Sequence, residues 1–301
     1  MFPTAKLVVN SETSKNFDFS NQLQEYNKLN WISSLQDSDY SKIQEICLQF
    51  NQNNISASSA ELGKDLEKFQ NLKFLDLSLS QNKICDQSFI DICSSISKIK
   101  SLDIVYLAFW GNQITEEGIK KAIEFIVQCQ NLKIFCLYLG DNQIKDAGLQ
   151  IISENLKHLQ NIKHLQLSLW KNYITDVGFR YFSENLSSFP NIISLYIDFL
   201  YHQNITDETA ILLGKSLSNL KHMRVLHINF DQTGITEVGK QKLAEMISQI
   251  SQIVCLKYFY FEKNGFLNKF ENTKQTLKSF KRRSHRLIFV QVNLKKNLIE
   301  Y

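Results

Sequence analysis

Apolar residues along this chain follow two alternating periods, and the alternation itself repeats. Residues 72–84 read LKFLDLSLSQNKI, residues 102–114 LDIVYLAFWGNQI, residues 132–144 LKIFCLYLGDNQI and residues 162–174 IKHLQLSLWKNYI. Within each segment apolar side chains fall on every second residue, as at Leu75, Leu77 and Leu79, the spacing of a strand with one buried face. An asparagine closes each segment at Asn82, Asn112, Asn142 and Asn172, a step of 30 residues. Weaker copies flank these four. Residues 43–55 are anchored on Asn53; residues 192–205 carry one extra residue and blur the anchor at Gln203-Asn204; residues 223–235 place Thr233 at the anchor. A last copy begins near Ile253 and holds Leu256, Tyr258 and Tyr260.

The second half of each unit changes period. It opens on Thr and an acid, as in Thr115-Glu116, Thr175-Asp176, Thr206-Asp207 and Thr236-Glu237. Thr suits a helix N-cap, and an acid is favourable at the positive helix end. Gly118, Gly148, Gly178 and Gly239 recur in the first helical turn. Glycine costs about 1 kcal/mol inside a helix, so its recurrence predicts close packing against the neighbouring backbone. Apolar residues then follow at helical spacing, as at Ile119, Ile123, Ile126 and Val127. Stacked strand–helix units would share a continuous core that no single unit could build, forming a parallel sheet with helices on one face. Each anchor asparagine would bond backbone groups of its own turn and of adjacent turns. Strands spaced about 4.8 Å apart under helices that need 8–10 Å would curve the array into a horseshoe with the sheet inside.

The L-x-L-x-x-N-x-I cores (Leu77, Leu79, Asn82, Ile84; Leu107, Phe109, Asn112, Ile114; Leu137, Leu139, Asn142, Ile144; Leu167, Leu169, Asn172, Ile174) and the recurrent glycines resemble the leucine-rich repeat family, in its ribonuclease-inhibitor-like subclass. The resemblance implies an α/β solenoid, a right-handed βα horseshoe of about eight repeats of about 30 residues over residues 43–265 with its parallel sheet on the concave face. Two departures stand out. An extra apolar–variable pair, such as Leu75-Asp76, lengthens the strand, and the anchor weakens late in the array.

Residues 1–42 lack the repeat and are expected to form an N-terminal cap, with part-helical apolar spacing from Leu23 to Leu35. Residues 266–301 form a second terminal segment with nine Lys/Arg against two acids, a formal +7, leaving −3 on residues 1–265. There, residues 287–292 read as a strand that would close the sheet edge, its basic surroundings blocking aggregation. Nucleic acid or anionic lipid binding through residues 269–296 is the alternative to a solvated basic cap.

The chain's 301 residues, 44% hydrophobic and 21% charged, exclude a disordered or collagen-like class. A formal net charge of +4 is too mild to mark a nucleic-acid binder. The abundance of Asn, Gln, Lys, Ile and Ser fits an AT-rich protist genome and says nothing of mechanism. No apolar run is long enough to span a bilayer, and the first residues do not read as a secretory signal, so a cytoplasmic monomer is expected. Cys47, Cys85, Cys93, Cys129, Cys136 and Cys255 form no C-x-x-C pair and read as reduced thiols. No nucleophile elbow, kinase set or zinc motif occurs. Gly63-Lys64 and Gly214-Lys215 only mimic the end of a phosphate loop and read as helix surface. No cofactor, no metal and no small-molecule substrate are expected.

The resemblance implies that the variable positions between strand leucines face the concave side. These are small and polar in the early units and aromatic in the middle. Trp110 and Trp170 share one column with Gly140 between them, which predicts a notch walled by two indoles. Tyr106, Tyr138, Tyr196, Asp198 and Tyr201 would surround it. Aromatic residues dominate binding hot spots, and an exposed cluster needs a reason. The sequence leaves open whether these rings take a partner or pack on one another. The expected function is a non-enzymatic protein–protein interaction scaffold. The alternatives are a small-GTPase regulator, for which Arg180 and Arg224 are the only arginines in the array, and a substrate-recognition subunit of a ubiquitin ligase.

Overall fold

The computed structural model describes residues 14–18, 40–53, 55, 59–189, 191–250, 253–259 and 289–293. The expected helix between Leu23 and Leu35 lies outside the described residues. Among the described residues ten strands form one sheet in chain order, every neighbouring pair parallel: β1 (Ser14–Asp18), β2 (Glu45–Gln49), β3 (Phe74–Ser78), β4 (Ile104–Ala108), β5 (Ile134–Tyr138), β6 (His164–Ser168), β7 (Ser194–Asp198), β8 (Val225–Asn229), β9 (Cys255–Phe259) and β10 (Phe289–Asn293). Helices alternate with them: α1 (Ser59–Leu66), α2 (Asp86–Lys98), α3 (Glu116–Ile126), α4 (Asp146–Leu156), α5 (Asp176–Leu186), α6 (Asp207–Leu217) and α7 (Glu237–Ser248). Each helix packs on the helices before and after it in the chain.

β2 to β9 are the eight strands of the repeat; β1 and β10 add one strand at each edge. The sequence pattern anticipates β10, paired to β9 through Phe289 opposite Cys255, and gives no sign of β1. Strand residues such as Leu75, Leu77 and Leu107 point into one hydrophobic cluster shared with helix residues such as Ile92, Ile119 and Leu149, running without a break from Ile43 to Leu256. The other face of the sheet is left partly open by the described elements.

Three hydrogen-bond ladders tie unit to unit. In the first, the anchor Asn112 accepts from the backbone N–H of Asn82 (3.0 Å) and Ile84 (2.9 Å) in the preceding unit and donates to Leu79 O and Phe109 O. Asn82, Asn142 and Asn172 repeat the pattern. The residue before each anchor takes a left-handed conformation, including Asp141 (φ 52°), Lys171 (φ 51°) and Tyr201 (φ 68°). The sixth unit corrects the sequence reading. Its anchor is His202 rather than Gln203-Asn204: the ring Nε2 accepts from Asn172 N (3.2 Å) and Nδ1 donates to Phe199 O (2.9 Å). The extra residue falls after the anchor.

The second ladder runs through the helix starts. Thr115, Thr175, Thr206 and Thr236 each cap their own helix, and each also donates its backbone N–H and hydroxyl to the acid opening the previous helix, as Thr115 does to Asp86 (2.8 and 2.7 Å). Asp146, Asp176 and Asp207 take the same role. This explains the recurrent glycines more closely than backbone packing does. A Cβ on Gly118, Gly178 or Gly239 would overlap the carboxylate of Asp86, Asp146 or Asp207. In α6 the position is Thr209, whose hydroxyl instead donates to Asp176. The third ladder precedes the strands, where Asn71, Asn131, Asn161 and Asn191 donate to a carbonyl one unit back, as Asn131 does to Lys100 O (2.8 Å). Of the two Gly-Lys pairs expected at the helix surface, Lys64 and Lys215 are exposed and Gly63 and Gly214 are not. Both glycines are buried helix–helix contacts, facing Ser95 and Met246.

Candidate interaction face

The strand register arranges the open face in columns. Residues opening the strands form one: Glu45, Phe74, Ile104, Ile134, His164, Ser194 and Val225. The next runs Cys47, Asp76, Tyr106, Cys136, Gln166, Tyr196 and His227, followed by Gln49, Ser78, Ala108, Tyr138, Ser168, Asp198 and Asn229. Period-two alternation sends these side chains away from the helices. Two residues beyond each strand lie Trp110, Gly140 and Trp170.

The sequence places Trp110 and Trp170 two strands apart, about 10 Å, with a notch between them. The structure fills that notch. Nε1, Cδ1 and Cε2 of Trp170 occupy the space where a Gly140 side chain would stand. The two indole rings lean together to a centroid separation of 6.2 Å at 43°. Gly140 is needed because any Cβ would displace the indole. Both tryptophans stay half-buried, so the pair presents one continuous aromatic surface in place of a cleft.

Tyr106, Tyr138 and Tyr196 are also half-buried. Tyr106 meets Phe74 at 5.6 Å between ring centroids. Tyr138 donates its hydroxyl to Gln166 Oε1 (2.6 Å). Burial pushes the Tyr106 hydroxyl up to about 12, with the neighbouring Cys136 and Asp76 adding to it. Burial raises Tyr138 and Tyr196 as well, so all three remain neutral donors. The strand-opening residues Phe74, Ile104 and Ile134 extend the apolar surface; the sequence reading began one column too late to include them.

Asp198 plays a different part from an exposed contact. It is 8% exposed and accepts from Ser168 Oγ (2.9 Å), Asn229 Nδ2 (2.9 Å), Leu200 N (3.3 Å) and Tyr196 Oη (3.4 Å). The carboxylate knits β6, β7 and β8 together from within the face. Burial raises its pKa against these four donors. Tyr201 sits in the left-handed turn before His202, 48% exposed at the margin of the face.

Among the described residues no three His, Cys, Asp or Glu side chains gather as a metal site, and no helix is long and apolar enough to cross a membrane. Arg180 is held by Glu208 (2.6 Å), and Arg224 donates to Met223 O (3.4 Å). Burial pushes Cys47 and Cys129 up to about 11 and also raises Cys93 and Cys136. Cys85, at the exposed start of α2, is lowered by the Ser88 hydroxyl. No protein-family model matches the chain, and no curated protein matches it.

Proposed function

We propose that this chain is a leucine-rich repeat protein of the ribonuclease-inhibitor-like type. In this reading its curved sheet serves as a non-enzymatic scaffold for a protein or peptide partner. The observation that carries the reading is the continuous half-exposed surface of Phe74, Tyr106, Ile104, Ile134, Tyr138, Trp110 and Trp170 on the sheet face turned away from the helices. Helix rows wider than strand rows bend such an array toward its sheet, which focuses this surface on one ligand. Rigid aromatic side chains bury much area at low entropic cost, and their neighbours are held by strand pairing rather than by loops.

The test is affinity capture from cell extract with the wild-type chain, a Tyr106→Ala/Trp110→Ala variant and a Val177→Ser/Tyr181→Ser variant, whose residues lie exposed on the helix side. A partner lost at least tenfold by the first variant and retained by the second is expected. Retention by both overturns the reading. Matching melting temperatures of the three proteins exclude a folding defect.

A further inference from the structure

The open face differs from the rest of the chain in charge. Across its positions on β2 to β8, the two residues past each strand included, the chain places Glu45, Asp76, Asp198 and Asp231 and no lysine or arginine. The whole chain carries 34 Lys/Arg against 30 acids. The first lysine or arginine in these columns is Lys257, at the register position on β9. Two of the acids are withdrawn from solvent: Asp198 is engaged by its four donors, and Asp231 is 4% exposed. Asp76 is different. It lies half-buried at the middle of β3, flanked in register by Cys47 and Tyr106, and no hydrogen bond or ion pair reaches it from the described residues. Burial pushes its carboxyl up to about 6. Its charge adds to the rise at Cys47 and Tyr106.

We propose that the open face binds an extended segment of a partner protein bearing a lysine or arginine, whose cation sits on the Asp76 carboxylate beside the Tyr106 ring. The inference rests on the interaction-face reading and adds the chemistry of its ligand. A partly desolvated carboxylate with no donor is an incomplete ion pair, and a guanidinium or ammonium completes it with charge-assisted hydrogen bonds. The adjoining Tyr106 and Phe74 rings offer faces to the same cation. Ile104 and Ile134 can take its aliphatic stem. From Asp76 on β3 to Tyr196 on β7 the columns cross four strand spacings, about 19 Å. That is the reach of about six extended residues. The rest of the segment would then lie over Tyr138 and the Trp110–Trp170 pair.

A random octapeptide library displayed on phage, selected on the immobilised full chain, tests this without knowing the natural partner. The expected clones share Lys or Arg at one aligned position. As synthetic peptides they bind Asp76→Asn about tenfold more weakly and Asp76→Glu nearly as well as wild type. Replacing the aligned base by Gln in the peptide gives the same loss on the unaltered protein, which removes any dependence on how the variants fold. Added salt weakens the basic peptides and not their Gln versions. Clones that are neutral or acidic, or that ignore Asp76→Asn, overturn the cationic ligand. If Tyr106→Ala/Trp110→Ala still abolishes their binding, the interaction face stands without it. Clones indifferent to that double variant, or no enriched clones at all, overturn both.

Discussion

Gly118 shows how one missing Cβ serves a contact between units. The Asp86 carboxylate fills the space above it while accepting both donors of Thr115. Gly118→Ala is therefore expected to destabilise the protein by about 1–3 kcal/mol, although alanine favours helix. In an Asp86→Ala background the same change should be nearly neutral, because the clash has gone. Urea denaturation of the four proteins checks this, and additive losses would contradict it.

His202 makes the companion case for an ionisable residue. Its ring is 3% exposed and must be neutral, since Nε2 accepts from Asn172 N while Nδ1 donates to Phe199 O. Burial lowers its pKa below the usual 6.5, against the backbone bonds and the Asp146 charge that raise it. A proton on Nε2 would remove the bond from Asn172. The unfolded chain takes up that proton first as pH falls, so this contribution to stability is intact above 6.5 and declines as pH falls toward the folded value. Relative to His202→Asn, which restores the anchor of the other units, the wild type should lose stability between pH 7.5 and pH 5. Urea midpoints at the two pH values measure it.

At the scale of elements, what varies between units is the pairing of one helix start with the next. Four rungs join Asp to Thr. The rung from α3 to α4 joins Glu116 to Lys145 (3.3 Å) in their place. α4 then has no side-chain cap, and Glu116 Oε2 is left buried without a partner among the described residues. Glutamate is one methylene longer than aspartate and cannot sit where Asp86 and Asp146 sit, so the long lysine reaches out to it. Glu116→Asp with Lys145→Thr should rebuild the common rung. The N-cap contributes about 1 kcal/mol, and the exposed ion pair lost contributes less. The double variant is expected to melt higher, and Lys145→Thr alone to gain less. A double variant no more stable than the single one would show that the rung is not the cause.

At the scale of the whole molecule, each helix packs on its chain neighbours and each strand pairs with the next in order, so stability is a sum of unit and interface terms. Leu137, 1% exposed on β5 in the middle of the array, touches both halves of the core through that order. Leu137→Ala should cost about 2–5 kcal/mol. It should also lower the urea m-value, because the halves then unfold less cooperatively. An unchanged m-value would mean that coupling reaches beyond neighbours.

The repeat was legible in the chain because its causes are local or periodic. Leu75, Leu77 and Leu79 alternate, Thr115 precedes its acid, and Asn82, Asn112, Asn142 and Asn172 return at one spacing, so period and propensity alone place strands, caps and anchors. The column of aromatic residues follows from the same register. What a given side chain does within that column does not follow. Trp170 could have stood upright and left a notch; it lies over Gly140 because the glycine leaves a void and Trp110 offers a second ring to lean on. His202 occupies the anchor because an imidazole can accept on one nitrogen and donate on the other, an equivalence visible only once Asn172 N and Phe199 O converge on it. Asp198 disappears into a network of four donors from three strands, while Asp76, the same residue type on the same face, has none from the described residues. Rotamers and donor counts depend on neighbours about 30 residues away in the chain, and packing in three dimensions chooses among them.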